Sequence, residues 1–456
     1  MALMKSISGI RGTIGGKPGY NLTPVDIVKF TAAYGTMLGK GKKVIVGRDG
    51  RISGEMVSSL VVNTLIGLGL NVIDLGLSTT PTVEMAVKFE GAAGGIILTA
   101  SHNPKQWNAL KLLNEKGEFI SAELGEQMLL IAEKEAFDFA QVDDLGSYSY
   151  DDTLLQTHID AILVHPLVNK EVIAEKNFKV VVDAINSSGA VAVPALLNAL
   201  GVTDIIVLNA EMHGNFAHNP EPLSENLVDL CTQVVKQKAD LGIAVDPDVD
   251  RLCFVSNDGT LFGEEYTLVA VADYILTNKK GNTVSNLSST RALKDVTEKH
   301  GGTYYASAVG EVNVVKKMKE VHAVIGGEGN GGVIDPSLHY GRDAMIGIAL
   351  FLTHLAQSGK TSSALRKTYP DYFMSKNKID LPQGTDVKAI LAKVKEQYSS
   401  NPVNTDDGVK IEFEQSWVHL RASNTEPIIR IYSEAPSTAK ANELALHMME
   451  VIKKLM

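Results

Sequence analysis

Gly95-Ile96-Ile97-Leu98-Thr99-Ala100-Ser101-His102-Asn103-Pro104 decides how this chain is read. The apolar run over 95–98 has the profile of a buried parallel strand. Asn103-Pro104 breaks it. Ser101 is therefore presented at the end of a buried strand, where open α/β sheets place their chemistry. No G-x-S-x-G surrounds it, which argues against a hydrolase nucleophile elbow. A serine beside a turn is by default a cap or a turn residue. Residues further along the chain lift Ser101 above that default.

On the N-terminal side, Lys43-Val44-Ile45-Val46 reads as a strand and Gly47-Arg48-Asp49-Gly50-Arg51 as a charged turn. A helix follows with Met56, Leu60, Val61, Leu65 and Leu68 on its apolar positions, ended by Gly69, and Val72-Ile73-Asp74-Leu75 is a second strand. Strand, helix and strand in that order build parallel sheets with helices on their faces. The pattern recurs with a strand over 179–183, a helix over 191–200 ended by Gly201, and a strand over 205–208. A third copy runs from 283–285 through a helix over 292–299 to 303–305. Beyond 375–377 the pattern changes to strands over 409–413, 417–420 and 428–432, closed by an amphipathic helix over 438–455. The fold class expected is α/β, with three related α/β domains of mixed, largely parallel sheets and a smaller C-terminal α+β domain. The divisions expected are 1–148, 149–250, 251–372 and 373–456.

Composition narrows the function. The chain has 456 residues and a formal net charge of −10. That balance argues against a general nucleic-acid or anionic-membrane binder, though not against a local basic pocket for a small anion. Cys231 and Cys253 lack metal-ligand spacing and read as reduced cysteines of a cytosolic protein. The N-terminus has no signal-peptide apolar region, and no apolar stretch is long enough to span a bilayer.

Three loops carry further chemistry. Asp246-Pro247-Asp248-Val249-Asp250-Arg251 follows the apolar run Leu241-Gly242-Ile243-Ala244-Val245. Carboxylates at alternate positions repel one another unless a cation sits among them. An EF-hand also opens D-x-D-x-D, but its sixth position needs Gly where Arg251 stands and its twelfth needs Glu where Asn257 stands. Three carboxylates completed by phosphate or water oxygens suit Mg²⁺ instead; the bland reading is a solvated acidic turn. Gly326-Gly327-Glu328-Gly329-Asn330-Gly331-Gly332 contains a formal G-x-G-x-x-G, but Val333-Ile334-Asp335-Pro336 starts no helix, so it is no dinucleotide fingerprint. Such a loop lets backbone approach a ligand closely, and Glu328 and Asn330 become candidates for gripping sugar hydroxyls. Gly359-Lys360-Thr361 mimics the end of a phosphate loop, but His354 stands where its first Gly should be. Arg421-Ala422-Ser423-Asn424-Thr425-Glu426-Pro427, with Arg430, combines hydroxyls, turn amides and guanidiniums into a phosphate cradle. Lys111 alone reads as a surface lysine, and Arg11 within Ser8-Gly9-Ile10-Arg11-Gly12 as a turn residue.

In this order these segments resemble the α-D-phosphohexomutase superfamily over the whole length of the chain. The Thr-Ala-Ser-His-Asn-Pro run and the Asp-Pro-Asp-Val-Asp-Arg loop carry the resemblance. It implies four domains around a central cleft and an isomerase that moves a phosphoryl group within a hexose phosphate. Ser101 matches the phosphoserine of the family. Asp246, Asp248 and Asp250 match its Mg²⁺ ligands, with the phosphoserine at 101 as a further ligand. Glu328 and Asn330 match the sugar-recognition loop. Arg421, Ser423, Asn424, Thr425 and Arg430 match the distal phosphate site. Lys111, His102, Arg251 and Arg11 match residues around the transferring phosphoryl group. A hexose 1,6-bisphosphate is implied as activator and intermediate.

Many bacterial members end the sugar loop in Ser-Gly-His, whereas this chain has Asn330-Gly331-Gly332, leaving Lys111 the stronger acid/base candidate. Pro247 and Val249 stand where glycine is frequent. The Gly-Glu-Gly-Asn-Gly-Gly form resembles members assigned to phosphoglucosamine mutase or to combined phosphoglucomutase/phosphomannomutases. Glucosamine 6-phosphate is the substrate expected, with broad hexose specificity as the alternative. The expected partners are small-molecule hexose phosphates, with no nucleic acid or membrane, for a cytoplasmic monomer or homodimer. A Mg²⁺-dependent phosphatase would have no need for a second phosphate cradle. A catalytically silent sugar-phosphate binder would be expected to have lost Ser101 or an aspartate.

Overall fold

The computed structural model describes residues 3–6, 9–382, 384–422 and 428–456. Two compact units emerge: Met1–Thr267 with Gly331–Leu365, and Leu268–Asn330 with Arg366–Met456.

The first unit holds two sheets. The larger has seven strands in the order Met4–Ser6, Gly9–Thr13, Trp107–Leu113, Gly94–Leu98, Lys43–Arg48, Asn71–Leu77 and Tyr148–Tyr150. The expected strand–helix–strand unit is present as Lys43–Arg48, helix Gly54–Gly67 and Asn71–Leu77, and both Asn71–Leu77 and Gly94–Leu98 pair parallel to Lys43–Arg48. Every residue of Gly94–Leu98 is buried, as its apolar run requires. Trp107–Leu113, which no periodicity announced, returns antiparallel to it and places Lys111 opposite Ile97. Asn108 and Lys111 interrupt what is otherwise an apolar strand; both are buried because they face polar partners rather than water. Helices Pro24–Leu38, Gly54–Gly67 and Ala122–Lys134 supply Ile27, Phe30, Val61, Leu65 and Met128 to one core with Val44, Val46 and Ile96. Each such side chain contributes about 1.5–3 kcal/mol by leaving water.

The second sheet runs Leu252–Ser256, Leu241–Val245, Lys179–Asp183, Asp204–Leu208. Leu241–Val245 is parallel to Lys179–Asp183 and antiparallel to Leu252–Ser256. The Asp246 to Arg251 segment is thus the turn of a hairpin, and a division between 250 and 251 would cut that hairpin through its turn. Helix Ala344–Ser358 is buried along nearly its whole length and is capped by Asp343, whose Oδ1 accepts from the backbone N–H groups of Met345 and Ile346.

In the second unit, Tyr304–Ser307, Asn282–Asn286 and Ala323–Glu328 pair parallel in that order, with helices Ala292–Lys299 and Glu311–Glu320 between them in sequence. The C-terminal sheet is antiparallel throughout: Phe373–Asp380, Ile428–Ala435, Trp417–Ala422, Val409–Glu412, Val403–Asn404. Its core packs Ile411, Val418, Leu420, Ile429 and Ile431 against Met448 and Ile452 of helix Thr438–Leu455. The architecture is three α/β domains with mixed, largely parallel sheets and a C-terminal α+β domain with an antiparallel sheet. Among the described residues no helix is long and apolar enough to cross a membrane.

Candidate active site

The hairpin turn after Leu241–Val245 gathers Asp246, Asp248 and Asp250, all fully buried, with one carboxylate oxygen from each within 4.8 Å of the others. Val249 takes the left-handed conformation (φ 60°) that folds them onto one side, and its N–H closes the turn on the Asp246 carbonyl. Asp246 Oδ1 accepts from the backbone N–H groups of Asp250 and Arg251, and its Oδ2 accepts from Ser101 Oγ at 2.7 Å. Asp248 Oδ2 accepts from Thr80 Oγ1 at 2.6 Å and from Lys111 Nζ at 2.7 Å. Asp250 Oδ2 accepts from Arg342 Nη2 at 2.7 Å and from Lys111 Nζ at 3.3 Å. The second oxygens of Asp248 and Asp250 are buried and have no hydrogen-bond partner.

Burial, followed by the charges of Asp248 and Asp250, pushes the Asp246 carboxyl well above the ordinary carboxylate range. At Asp250 burial also acts upward, yet Arg342, Lys111 and Arg251 together carry it below that range. For Lys111, burial acts downward and Asp248 and Asp250 override it, so the ammonium is held charged. Two orphaned carboxylate oxygens beside a third carboxyl that resists ionisation fit a hard divalent cation, whose charge and oxygen preference answer both strains.

Ser101 sits against this triad in a left-handed conformation (φ 50°), which costs a non-glycine residue about 1–2 kcal/mol. Arg51, essentially inaccessible to solvent, enforces it. Its Nη2 donates to the carbonyls of Ser101 and Asn103 at 2.5 and 2.7 Å. Its Nη1 donates to those of Pro104 and Trp107 at 3.0 and 2.9 Å, and its Nε to Asp49 Oδ2 at 3.0 Å. Asp49 also accepts from Thr99 Oγ1, which in turn accepts from the Ser101 N–H. Arg51 is a positioning residue hidden in what the sequence offers only as a charged turn. Arg51→Lys keeps the charge but loses the fork that grips four carbonyls. The expected result is a loss of about 10²-fold in kcat with little change in KM, measured beside a melting curve showing the variant folded.

Of the other residues expected around the phosphoryl group, Arg11 donates to Asn103 Oδ1 at 2.9 Å, and burial lowers its pKa. Arg251 pairs with Glu221 at 2.9 Å. His102 Nδ1 lies 3.3 Å from Ser101 Oγ; burial first, then Arg251 and Arg11, hold its pKa well below the usual histidine value, so the ring is neutral near pH 7. Ser101, His102, Lys111, Arg11, Arg251 and the three aspartates therefore come together in the first unit. Thr80 and Arg342 join them without any signal in their local sequence.

Glu328 and Asn330 lie in the second unit. Glu328 ends a buried strand; its Oε1 accepts from Asn286 Nδ2 at 2.8 Å and from the Gly310 N–H at 3.1 Å, and Asn330 Nδ2 lies 3.4 Å from its Oε2. In the C-terminal sheet Arg421 and Arg430 stand directly opposite one another on neighbouring antiparallel strands. Arg421 Nε lies 2.6 Å from Asp407 Oδ2, while Arg430 is exposed. Like charges placed so oppose the pairing unless an anion joins them. Ser423, Asn424 and Thr425 lie outside the described residues.

Comparison with known proteins matches this geometry from end to end. Models of the phosphoglucomutase/phosphomannomutase α/β/α domains I, II and III match residues 4–138, 156–259 and 263–372, and the C-terminal domain model matches 377–451. A phosphoglucomutase/phosphomannomutase of Thermococcus kodakarensis is 37% identical over 95% of this chain and 96% of that protein. A phosphoglucosamine/phosphogalactosamine mutase of Sulfurisphaera tokodaii is 33% identical over 99% of this chain and 100% of that protein. The crystal structure of a phosphoglucomutase/phosphomannomutase family protein from Burkholderia thailandensis superposes with a TM-score of 0.83 at 26% identity, covering 99% of this chain and 98% of that one. The fold and its buried acidic site define a metal-dependent phosphotransferase that acts as an isomerase of hexose phosphates. The chain belongs to the phosphoglucomutase/phosphomannomutase family of the α-D-phosphohexomutase superfamily.

Proposed function

We propose that the chain is a phosphoglucosamine mutase, interconverting glucosamine 6-phosphate and glucosamine 1-phosphate through a phosphoserine at Ser101. The observation that carries the phosphoserine chemistry is the Ser101 hydroxyl 2.7 Å from Asp246 Oδ2 in a buried triad of carboxylates, whose other two members each keep an unpartnered oxygen. In the first half-reaction the bond between phosphorus and Ser101 Oγ breaks as a bond to the free sugar hydroxyl forms. His102, neutral, takes the proton of that hydroxyl and the charged Lys111 gives one to Ser101 Oγ, and the return transfer restores both. The bisphosphorylated sugar then turns over, and its other phosphoryl group returns to Ser101. Such a transfer needs in-line positioning and charge neutralisation more than covalent novelty. Arg51 holds the serine loop, and Arg251, Arg11 and Lys111 supply positive charge. Asp246, Asp248, Asp250 and the Ser101 oxygen would hold Mg²⁺, which when bound neutralises the charge of the transferring group.

Glu328 and Asn330 are assigned to the sugar, the carboxylate of Glu328 pairing with a 2-ammonium group. Arg421 and Arg430, with Ser423, Asn424 and Thr425, are assigned to the phosphate that is not reacting. Arg421→Ala is expected to raise KM about tenfold or more while leaving kcat within a few-fold, since a guanidinium that meets only the non-reacting phosphate contributes binding common to substrate and transition state. A loss of folded structure in the melting curve would make the arginine structural instead.

The same reading gives a cytoplasmic monomer or homodimer acting on small-molecule hexose phosphates, primed by hexose 1,6-bisphosphate. Its four domains divide near 148/149, between 259 and 263, and near 372/373, the middle division keeping the Leu241–Val245 and Leu252–Ser256 hairpin whole. A coupled assay with Mg²⁺ and a trace of bisphosphate compares glucosamine, glucose and mannose 6-phosphates by kcat/KM. A preference of about 10²-fold for the amino sugar is expected. Comparable rates on all three would make the enzyme a phosphoglucomutase/phosphomannomutase of broad specificity, the activity by which the Thermococcus relative is named.

A further inference from the structure

A second cluster of ligating side chains lies in the first unit, apart from the acidic hairpin turn. His158 of helix Leu154–Leu163, His339 and Asp343 are each buried, and one ligand atom from each lies within 4.8 Å of the others. His158 Nε2 is 3.0 Å and His339 Nε2 3.2 Å from the same oxygen, Asp343 Oδ2. The other ring nitrogens each face a polar side chain. His158 Nδ1 is 3.1 Å from Thr82 Oγ1, and His339 Nδ1 is 3.4 Å from Glu84 Oε2. Glu84 is buried on helix Thr80–Phe89, and Gly341 makes room for it: a Cβ there would stand 1.9 Å from Glu84 Oε2.

A single proton on His339 does not serve both of its contacts. A neutral imidazole has one N–H. If His339 carries it on Nε2, Asp343 is served and a bare Nδ1 faces the Glu84 carboxylate. If it carries it on Nδ1, Glu84 is served and the Nε2 lone pair faces Asp343 Oδ2. A second proton would satisfy both contacts by placing one positive charge between two buried carboxylates. A divalent cation balances both.

We propose that His158 Nε2, His339 Nε2 and Asp343 Oδ2 form a second metal site, for a divalent transition ion of the zinc class. Imidazole donors suit that class, whereas Mg²⁺ prefers oxygen alone. Ligands about 2.0–2.1 Å from a tetrahedral ion stand about 3.3 Å apart, close to the two distances seen here. Both histidines then carry their N–H on Nδ1, donating to Thr82 and Glu84, the outer-shell pattern that orients metal-bound imidazoles. The site joins three segments that hold the acidic turn. Thr80, two residues before Thr82, donates its N–H and Oγ1 to Asp248; Arg342, beside Asp343, binds Asp250; and the Ala344 N–H donates to the Val249 carbonyl. The ion is therefore structural, and its loss loosens the turn from outside.

The test uses the full-length protein. It is stripped with a chelator under mild denaturation, refolded with Zn²⁺, and dialysed against millimolar Mg²⁺ to claim the all-carboxylate site. The expected result is one zinc retained per chain, a melting temperature raised by several degrees over the stripped protein, and X-ray absorption showing two imidazoles on the zinc. The double variant His158→Gln, His339→Gln is expected to lose the zinc and the zinc-dependent part of its melting temperature. Should that variant fail to fold, the absorption spectrum of the unaltered protein decides. Among the described residues, the groups of three or more His, Cys, Asp or Glu side chains close enough to share an ion are this cluster and the acidic triad, and only this one offers imidazole. No zinc retained, zinc without imidazole ligands, or undiminished zinc in the double variant would each overturn the site in favour of a proton-shared network. None of these readouts depends on which sugar the enzyme prefers or on Ser101.

Discussion

Ser101→Ala is expected to abolish mutase turnover, lowering kcat on the order of 10⁴-fold or more. The size follows from the role: without Oγ there is no group to carry the phosphoryl between sugars, and no neighbouring side chain replaces it at 2.7 Å from Asp246. Folding should survive. The substitution removes one hydroxyl whose partner, Asp246 Oδ2, belongs to a site built for a cation, and the loop remains clamped by Arg51. Melting temperature should move by no more than a few degrees. Ser101→Gly supplies the control for backbone strain, because glycine adopts the left-handed conformation freely. Equal inactivity in both variants assigns the loss to the missing oxygen. Appreciable turnover in either would remove the phosphoserine from the mechanism.

Asp248→Asn is expected to lower kcat by about 10²–10³-fold and to raise the Mg²⁺ concentration for half-maximal activity at least tenfold. The substitution keeps shape and removes charge. It takes away one ligand and weakens the hold on Lys111, which Asp248 and Asp250 share. The pH dependence of the unaltered enzyme has the same origin. Burial and two neighbouring carboxylates raise the Asp246 carboxyl well above its ordinary value, so protons compete with the cation for that oxygen. Because the cation binds the ionised form, half-saturating Mg²⁺ should rise as pH falls, by about tenfold per unit for one competing proton, and flatten once that carboxyl is ionised. Activity measured against Mg²⁺ at several pH values separates this from any effect on kcat. A Mg²⁺ requirement unmoved by either Asp248→Asn or acid would place the cation elsewhere.

The strands and helices of the α/β units were legible because their faces are sharply patterned. Gly94–Leu98 and Leu241–Val245 are continuous apolar runs, and each reactive loop begins where such a run stops. Motif residues supplied Ser101 and the three aspartates for the same reason: chemistry at a strand end interrupts the pattern visibly. The strand Trp107–Leu113 was hidden because its polar residues serve the site; Lys111 imitates a surface lysine until Asp248 and Asp250 are folded against it. Arg51, Thr80, Arg342 and the His158–His339–Asp343 cluster were illegible for a different reason. Their partners lie tens to hundreds of residues away, 50 between Arg51 and Ser101 and 185 between His158 and Asp343. Their local sequence is that of an ordinary turn, cap or helix. The hairpin that joins the second sheet across residue 250 was obscured by its own turn, whose run of aspartates is polar in sequence although it is buried in the fold.

The measurement that bears most directly on the central claim follows one phosphoryl group. Protein incubated with hexose 1,6-bisphosphate labelled in its phosphates is freed of ligand, digested and sequenced by mass spectrometry, and a second portion is mixed with unlabelled glucosamine 6-phosphate for a single turnover. The account predicts label on Ser101 alone, chased quantitatively into the sugar phosphates with no inorganic phosphate beyond background. Label on another residue, no label at all, or label leaving Ser101 as inorganic phosphate would contradict it, the last making the protein a phosphatase built on a mutase fold.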